Sequence, residues 1–288
     1  MKDQHVHISQ KKRIRSFSVD KNELRKLLEI LQERAYAAAE LEEKHLIRLD
    51  DQTDEEFEQT KKDLNEGFKL FITLSGIDGR KLTGDIDEIF DSPNYPPEVE
   101  EVFFDTSTPL RFRHNYFPRN KMILFLDFRK AEVLNFSILP SEETLNESNF
   151  EIIGKDVTWV NGVFKEFLSF IEEKPSTIPW IHRHSIYDLI VWIIGFPLSF
   201  WICNKLSIKI EGFFGSYSVF LKAALYFYVF IIALNVLRIA FLYARWIWPL
   251  TEYKSEKSKS LKHKALFSLI ASGIGLPALY DIIKWLIK

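Results

Sequence analysis

The sequence predicts an α+β domain, an antiparallel sheet with flanking helices behind a long N-terminal helix, followed by an all-α transmembrane region of about three helices. Charge divides the 288 residues into unlike halves. Residues 1–177 hold 25 Lys and Arg against 35 Asp and Glu, a net −10, whereas residues 178–288 hold 13 against 5, a net +8. The second half carries apolar stretches of about 20 residues, the length a helix needs to cross a bilayer core. The first half shows short apolar runs bounded by turn residues, the pattern of strands. An aromatic content of 15% excludes a disordered chain, because it offers ample surface to bury. The single cysteine excludes a disulfide scaffold and a zinc site built on several thiolates.

In chain order, residues 1–19 read as a basic flexible tail, and residues 20–66 as a long amphipathic helix with an acidic linker. Asp20 and Glu23 form a capping-box pattern at the helix start. Leu24, Leu28, Leu31, Ala35 and Ala38 then recur at steps of four and three, which carries the helix to about residue 48. A seam of about two heptads is too short to demand a coiled coil, so docking on the chain's own domain is expected. The stretch DDQTDEEFEQTKKDLNEG reads as a solvated helix or linker, and it lacks the glycine and closing glutamate of a calcium loop.

Residues 67–177 form the α+β domain. Strands are expected at 68–75, 80–83, 99–106, 121–128, 133–139 and 150–153. Asp78 and Gly79 mark a hairpin turn between the first two. DIDEIFD suggests a short helix, and Asp156 caps a closing helix over 158–172 with a broad face of Trp159, Val160, Val163, Phe164, Phe167, Leu168 and Phe170.

Residues 178–288 form the transmembrane domain, with spans at about 185–203, 217–243 and 265–287. Lys222 and Arg238 bracket a charge-free run and are long enough to reach the interface. Gly273, Gly275, Pro277 and Asp281 leave the third segment open between a kinked span and a re-entrant hairpin. Residues 245–264 hold six Lys and Arg, against two in the stretch NKLSIKIEG. The positive-inside rule keeps the more basic loop in the cytoplasm, and two crossings earlier the N-terminal domain with it. The expected location is the plasma (inner) membrane, multi-pass, with no cleavable signal in the polar first 20 residues.

No dinucleotide, P-loop or nucleophile-elbow motif occurs, so no enzyme, cofactor or metal is expected. His182 and His184 are two residues apart, a spacing that separates them on a helix. The stretch PLRFRHNYFPRNK gathers Arg111, Arg113, His114, Tyr116, Arg119 and Lys121 with interleaved phenyl rings. Guanidinium forks bind phosphates and aromatic faces stack on bases, so the patch suits a nucleotide, RNA, a lipid headgroup or another small anionic ligand, or a cytoplasmic partner protein. The alternative is a solvated loop whose arginines pair with the domain's own acids. Bulk nucleic acid is disfavoured by the net negative charge. Asp188, Asn235, Arg238 and Asp281 are polar groups inside expected spans, suited to a relay or pore, or simply solvated at the interface. Ser268, Ala271, Ser272, Gly275 and Ala278 recur at helical spacing. Such a small-residue face packs against the chain's own helices or joins copies into a homo-oligomer. The two-part plan suits a sensor domain coupled to lipid-embedded helices, an effector for antiviral defence or toxicity. The alternative is a passive anchor that recruits a cytoplasmic partner.

Overall fold

The computed structural model describes residues 7–134, 143–255, 260–270, 272–273, 277, 280–281 and 284. The chain divides into two units, one of Met1–Arg129, Asn146–Thr177 and Leu250–Ser258, the other of Lys130–Leu145, Ile178–Pro249 and Lys259–Lys288.

The first unit contains β1 (Ile8–Arg13), β2 (Phe17–Val19), α1 (Lys21–Glu43), α2 (Asp54–Gly67), β3 (Ile72–Gly76), β4 (Lys81–Gly84), α3 (Ile86–Phe90), β5 (Val99–Asp105), α4 (Ser107–His114), β6 (Lys121–Asp127), β7 (Asn149–Gly154) and α5 (Val157–Glu172). A last strand, β8 (Thr251–Tyr253), comes from far along the chain. The expected α+β plan is present: a six-stranded sheet in the order β1-β7-β6-β5-β3-β4, antiparallel at every step, with flanking helices. Asp20 and Glu23 close the capping box of α1. Its stripe of Leu24, Leu28, Leu31, Ala35 and Ala38 is buried, as are Phe167 of α5 and Leu74, Val102, Leu124 and Phe150 of the sheet. Phe150 and Phe167 stack with centroids 4.0 Å apart. Each Leu or Phe so buried contributes about 1.5–3 kcal/mol.

Three expectations change. The flexible tail is partly a strand: Ile8 pairs with Gly154 and Arg13 with Asn149. One apolar side chain gives β1 no sequence signature, but the free edge of β7 needs backbone partners, and Lys11, Lys12 and Arg13 suit an outer strand. The first hairpin strand starts at Ile72 because Phe68 still donates to the carbonyl of Leu64 at the end of α2. The strand expected at 133–139 lies mostly outside the described residues, and Val133 and Leu134 are not in a strand.

Residues 250–258, expected in the transmembrane domain, belong to the α+β unit. β8 runs parallel to β2, with Phe17 opposite Thr251 and Val19 opposite Tyr253. Phe17 donates to the carbonyl of Leu250 at 3.1 Å, and Lys254 donates to that of Val19 at 2.7 Å. On its other edge β2 donates from Ser18 to Lys174 at 2.9 Å. Phe17 and Val19 are fully buried. The Thr251 hydroxyl donates to the Asp127 carbonyl, which also accepts from the Asn146 amide at 2.9 Å. The Asp127 carboxylate is held by Arg129 through two bonds of 2.8 and 3.0 Å. Tyr253 meets Phe128 edge-on, and its hydroxyl lies 3.2 Å from that of Tyr95.

The second unit opens with a 3-10 turn (Pro179–His182), followed by α6 (His184–Ile190), a π turn (Val191–Gly195), α7 (Phe196–Phe214) and α8 (Val219–Ile247). Pro197 has no N–H and crowds the carbonyl four residues back, and the wider π turn accommodates it. Helices Ser185–Phe214 and Val219–Ile247, 30 and 29 residues long, are long and apolar enough to cross a membrane, with only 17% and 22% of their apolar windows buried. They pair as an antiparallel hairpin: Phe196 stacks on Phe230, and Glu211 binds Lys222 at 3.1 Å near the turn. A Cβ on Gly195 would lie 3.0 Å from Leu237 Cδ2, so a larger residue there would push on the Leu237 and Leu234 side chains of the second helix. The residues Asn204 to Gly212, expected as a loop, continue the first helix. In the third segment α9 (Ser260–Ile270) spans 11 residues, and about half of 265–287 lies outside the described residues. Two span-length helices, not three, are described.

A chain ending at Thr177 lacks β8 and exposes Phe17 and Val19. Two lost backbone bonds at about 1 kcal/mol each, plus the apolar exposure, should cost roughly 3 kcal/mol or more. That corresponds to a melting point lower by roughly 10 °C for a unit of this size. Thermal unfolding followed by circular dichroism checks this, with residues 250–258 restored through a Gly-Ser linker as the control. Equal melting points would show that β8 contributes nothing.

Candidate functional site

The arginine-rich segment is positioned by one buried carboxylate. Glu42 stands in the last turn of α1, on the stripe continued from Ala38, and is fully buried. Its Oε1 accepts from both the backbone N–H and the Nδ2 of Asn120, each at 2.8 Å. Its Oε2 accepts from the Tyr116 hydroxyl at 2.7 Å. These donors replace the water that the carboxylate gave up. Asn120 Oδ1 in turn accepts from the backbone of Lys155 at 3.0 Å, which ties in the turn between β7 and α5. One side chain thus holds the end of α1, the entry to β6 and the start of α5.

Above this knot, α4 buries Leu110 and turns Arg111, Phe112 and Arg113 outward. Asn115 ends the helix in the left-handed region at φ 49°, a conformation asparagine tolerates. Phe112 is 86% exposed and Phe117 66%. The Arg111 guanidinium lies 5.2 Å from the centre of the Phe117 ring, and that of Arg113 5.7 Å from Phe71. Such stacking holds a guanidinium while leaving its N–H edge open.

Among the described residues the cations of this segment are unpaired, unlike five other arginines of the unit. Arg25, Arg34, Arg48, Arg80 and Arg129 of the same unit each meet a carboxylate. Among the described residues Arg111, Arg113, Arg119 and Lys121 make no ion pair. Of the expected ligand set, Arg111 and Arg113 are both exposed on α4 but two residues apart, Arg111 towards Phe117 and Arg113 towards Phe71; Arg119 and Lys121 are half-buried, and Tyr116 turns inward to Glu42. Burial and the Glu42 bond both raise the Tyr116 pKa, which keeps its hydroxyl protonated as the donor. The side chain of His114 lies outside the description. The segment expected as a loop is helical up to His114. Glu42 was missed because it sits among acids, yet its signal was present: it continues the four-and-three spacing of the buried stripe.

A second polar cluster lies in the helical unit. His182 is buried, with Nε2 2.6 Å from the Trp248 carbonyl and Nδ1 2.8 Å from the Thr144 hydroxyl. A carbonyl only accepts, so Nε2 carries the proton and Nδ1 accepts. Arg245, also buried, donates to the carbonyls of Ile181 at 3.0 Å and Arg183 at 3.4 Å. Arg238 lies on the same helix with its guanidinium 5.7 Å from the Tyr187 ring, and both it and Asp188 are within electrostatic reach of Tyr187. The four expected intramembrane polar residues therefore do not form one set. Asn235 donates to the carbonyl of Ile231 in its own helix at 2.9 Å, and the Asp281 carboxylate lies 3.7 Å from Lys205 Nζ. Of the small-residue face, Ser268 belongs to α9 and Ser272 donates to the Leu269 carbonyl at 3.1 Å. Ala271, Gly275 and Ala278 lie outside the described residues. Among the described residues no three His, Cys, Asp or Glu side chains converge as a metal site.

No family model matches the chain, and neither the curated proteins nor the solved structures give a match.

Two predictions follow from these clusters. Glu42→Ala should destabilise the unit by about 2–4 kcal/mol, because it leaves the buried Asn120 donors without an acceptor. Replacing both Glu42 and Tyr116 by apolar residues should not relieve it, since the Asn120 N–H groups stay stranded. Denaturant unfolding measures both. For His182, burial is the largest cause of a pKa lowered to about 4, and Arg245 adds to it. The folded unit therefore prefers the neutral ring. This stabilisation is complete above the unfolded pKa of about 6.5 and is lost as pH falls from there towards 4. Amide protection at Arg183 and Trp248 should drop over that window, and His182→Gln should flatten the response.

Proposed function

We propose that the chain is a multi-pass plasma (inner) membrane protein with its α+β unit in the cytoplasm, and that this unit senses a partner and moves the apolar hairpin. The pairing of β2 with β8 is the observation that carries this reading. The chain leaves the α+β unit after Thr177, passes through two span-length helices and rejoins the same unit at Leu250. Two crossings return a chain to the side from which it left, and the basic segment 245–264 favours the cytoplasm. A passive anchor needs one junction with its domain. Here three residues separate the far end of α8 from a strand whose partners are fully buried, so a shift in β2 or β8 pulls on the helix.

Recognition is assigned to the segment that carries Arg111, Arg113 and Arg119, open cations on an otherwise acidic unit. α1 has 23 residues and is about 35 Å long. Its first turn is tied to Lys174 by Glu23 and its last to Asn120 by Glu42. The recognition segment is thus at the end of α1 opposite its capping box. A membrane-perturbing effector in defence or toxicity fits this arrangement.

The test is membrane potential in cells expressing the full chain. The expected outcome is depolarisation that disappears when residues 250–255 become a Gly-Ser linker, at equal membrane content. No depolarisation in either chain would favour the passive anchor. For topology, Tyr217→Cys in a Cys203→Ser background should label from outside and Lys254→Cys only from inside. Labelling of both from one side would overturn the hairpin crossing.

A further inference from the structure

The end of the α+β unit that carries the open arginines also carries their chemical complement. The connection after α1 and the start of α2 present Asp50, Asp51 and Glu55, all exposed and, among the described residues, without an ion pair. Neighbouring acids are occupied: Asp54 binds Arg48, Glu56 caps the backbone of Thr53, and Glu58 binds Lys61. Beside the open acids stand Ile47, 86% exposed, and Leu49, 66% exposed. Beside the open arginines stand Phe112 and Phe117, exposed to the same degree. Both patches hang from the last turn of α1. Glu42 fixes the arginine segment, Lys61 reaches back to Glu43 at 3.5 Å, and α2 packs on α4.

Within one copy the two patches do not pair. We infer that the exposed segment carrying Arg111, Arg113 and Arg119 docks on Asp50, Asp51 and Glu55 of a second copy of this chain, with Phe112 and Phe117 meeting Ile47 and Leu49. Each copy offers both halves, and a reciprocal arrangement that uses both at once closes as a two-fold dimer. The arginines supply charge-assisted bonds, and the apolar neighbours exclude water from them. Three like-signed groups on each side steer the encounter and reject a reversed register. Exposed ion pairs are individually weak, so the contact is modest in solution and falls with salt. Confinement to one membrane raises the effective concentration and compensates. A small anionic ligand would leave Phe112 and Phe117 in water, whereas a second copy covers them. This inference rests on the assignment of that segment as the recognition surface, and it names the partner.

The experiment uses two differently tagged full chains reconstituted in one population of neutral phosphatidylcholine vesicles, with energy transfer between labels as the readout. R111E/R113E and D51K/E55K chains should each self-associate at least about tenfold more weakly than wild type. Mixing the two should restore association, because the swapped charges complement each other. Association of either variant alone at the wild-type level, or no recovery on mixing, would overturn the dimer. A polyglutamate peptide separates this failure from failure of the recognition segment. Wild type that stays monomeric but binds the peptide, with binding lost in R111E/R113E, overturns the second copy and leaves the recognition segment standing. No binding of either kind overturns both.

Discussion

Closure of the α+β unit depends on a strand that the chain supplies only after its two long apolar helices. β2 is three residues long and buried on every side, with donors spent on Leu250 at one edge and Lys174 at the other. Without β8 its Phe17 and Val19 would face water, and the Asp127 carbonyl would lose the Thr251 hydroxyl. A pairing over so many residues costs loop-closure entropy, but that cost grows only slowly with length. Packing of the intervening helices against each other reduces it further. The consequence is architectural: the unit that precedes the hairpin is incomplete until the hairpin has been made.

The opposite end of the unit is organised by a polar knot rather than by apolar packing. A carboxylate with no cation beside it is tolerable in the interior because three donors converge on it, two from Asn120 and one from Tyr116. That knot frees the segment above it. With Leu110 and Tyr116 facing in, Arg111, Phe112, Arg113 and Phe117 are left to solvent. Rigidity below and openness above are what a recognition surface needs. α1 joins the two ends as one straight element, with its capping box at the closure and its last turn at the knot.

The helical unit manages its polar groups by satisfying them locally. Asn235 returns its amide to its own helix, and Arg245 spends its guanidinium on carbonyls of the turn before α6. His182 stays neutral between a carbonyl and a hydroxyl. These bonds cluster near the start of the first long helix and the end of the second, where the chain enters and leaves the hairpin. The middle of the hairpin is left to aromatic contacts such as Phe196 on Phe230.

Periodicity and capping made much of this fold legible in advance. The stripe of α1, its capping box, the Asp78–Gly79 turn and the apolar length of both long helices are local properties, decided by neighbours within a few residues. The closing helix and the strands β5, β6 and β7 carry dense enough apolar patterns to read directly. The arginine cluster was legible as composition, but its pairing state was not, since whether an arginine meets a carboxylate depends on residues far away in the chain. β1 and β2 were invisible because a strand with one apolar residue, or with three residues in all, becomes one only when a partner edge is present. Tyr116 looked like a ligand contact until Glu42 was placed beneath it. The sequence by itself determined the long helices, the central strands of the sheet and the segments apolar enough for a membrane, because burial pattern and turn chemistry are written residue by residue. Tertiary structure alone decided that a strand from beyond the hairpin completes the first unit, and which charges stay open, because pairing is a property of distance in space and not of distance along the chain.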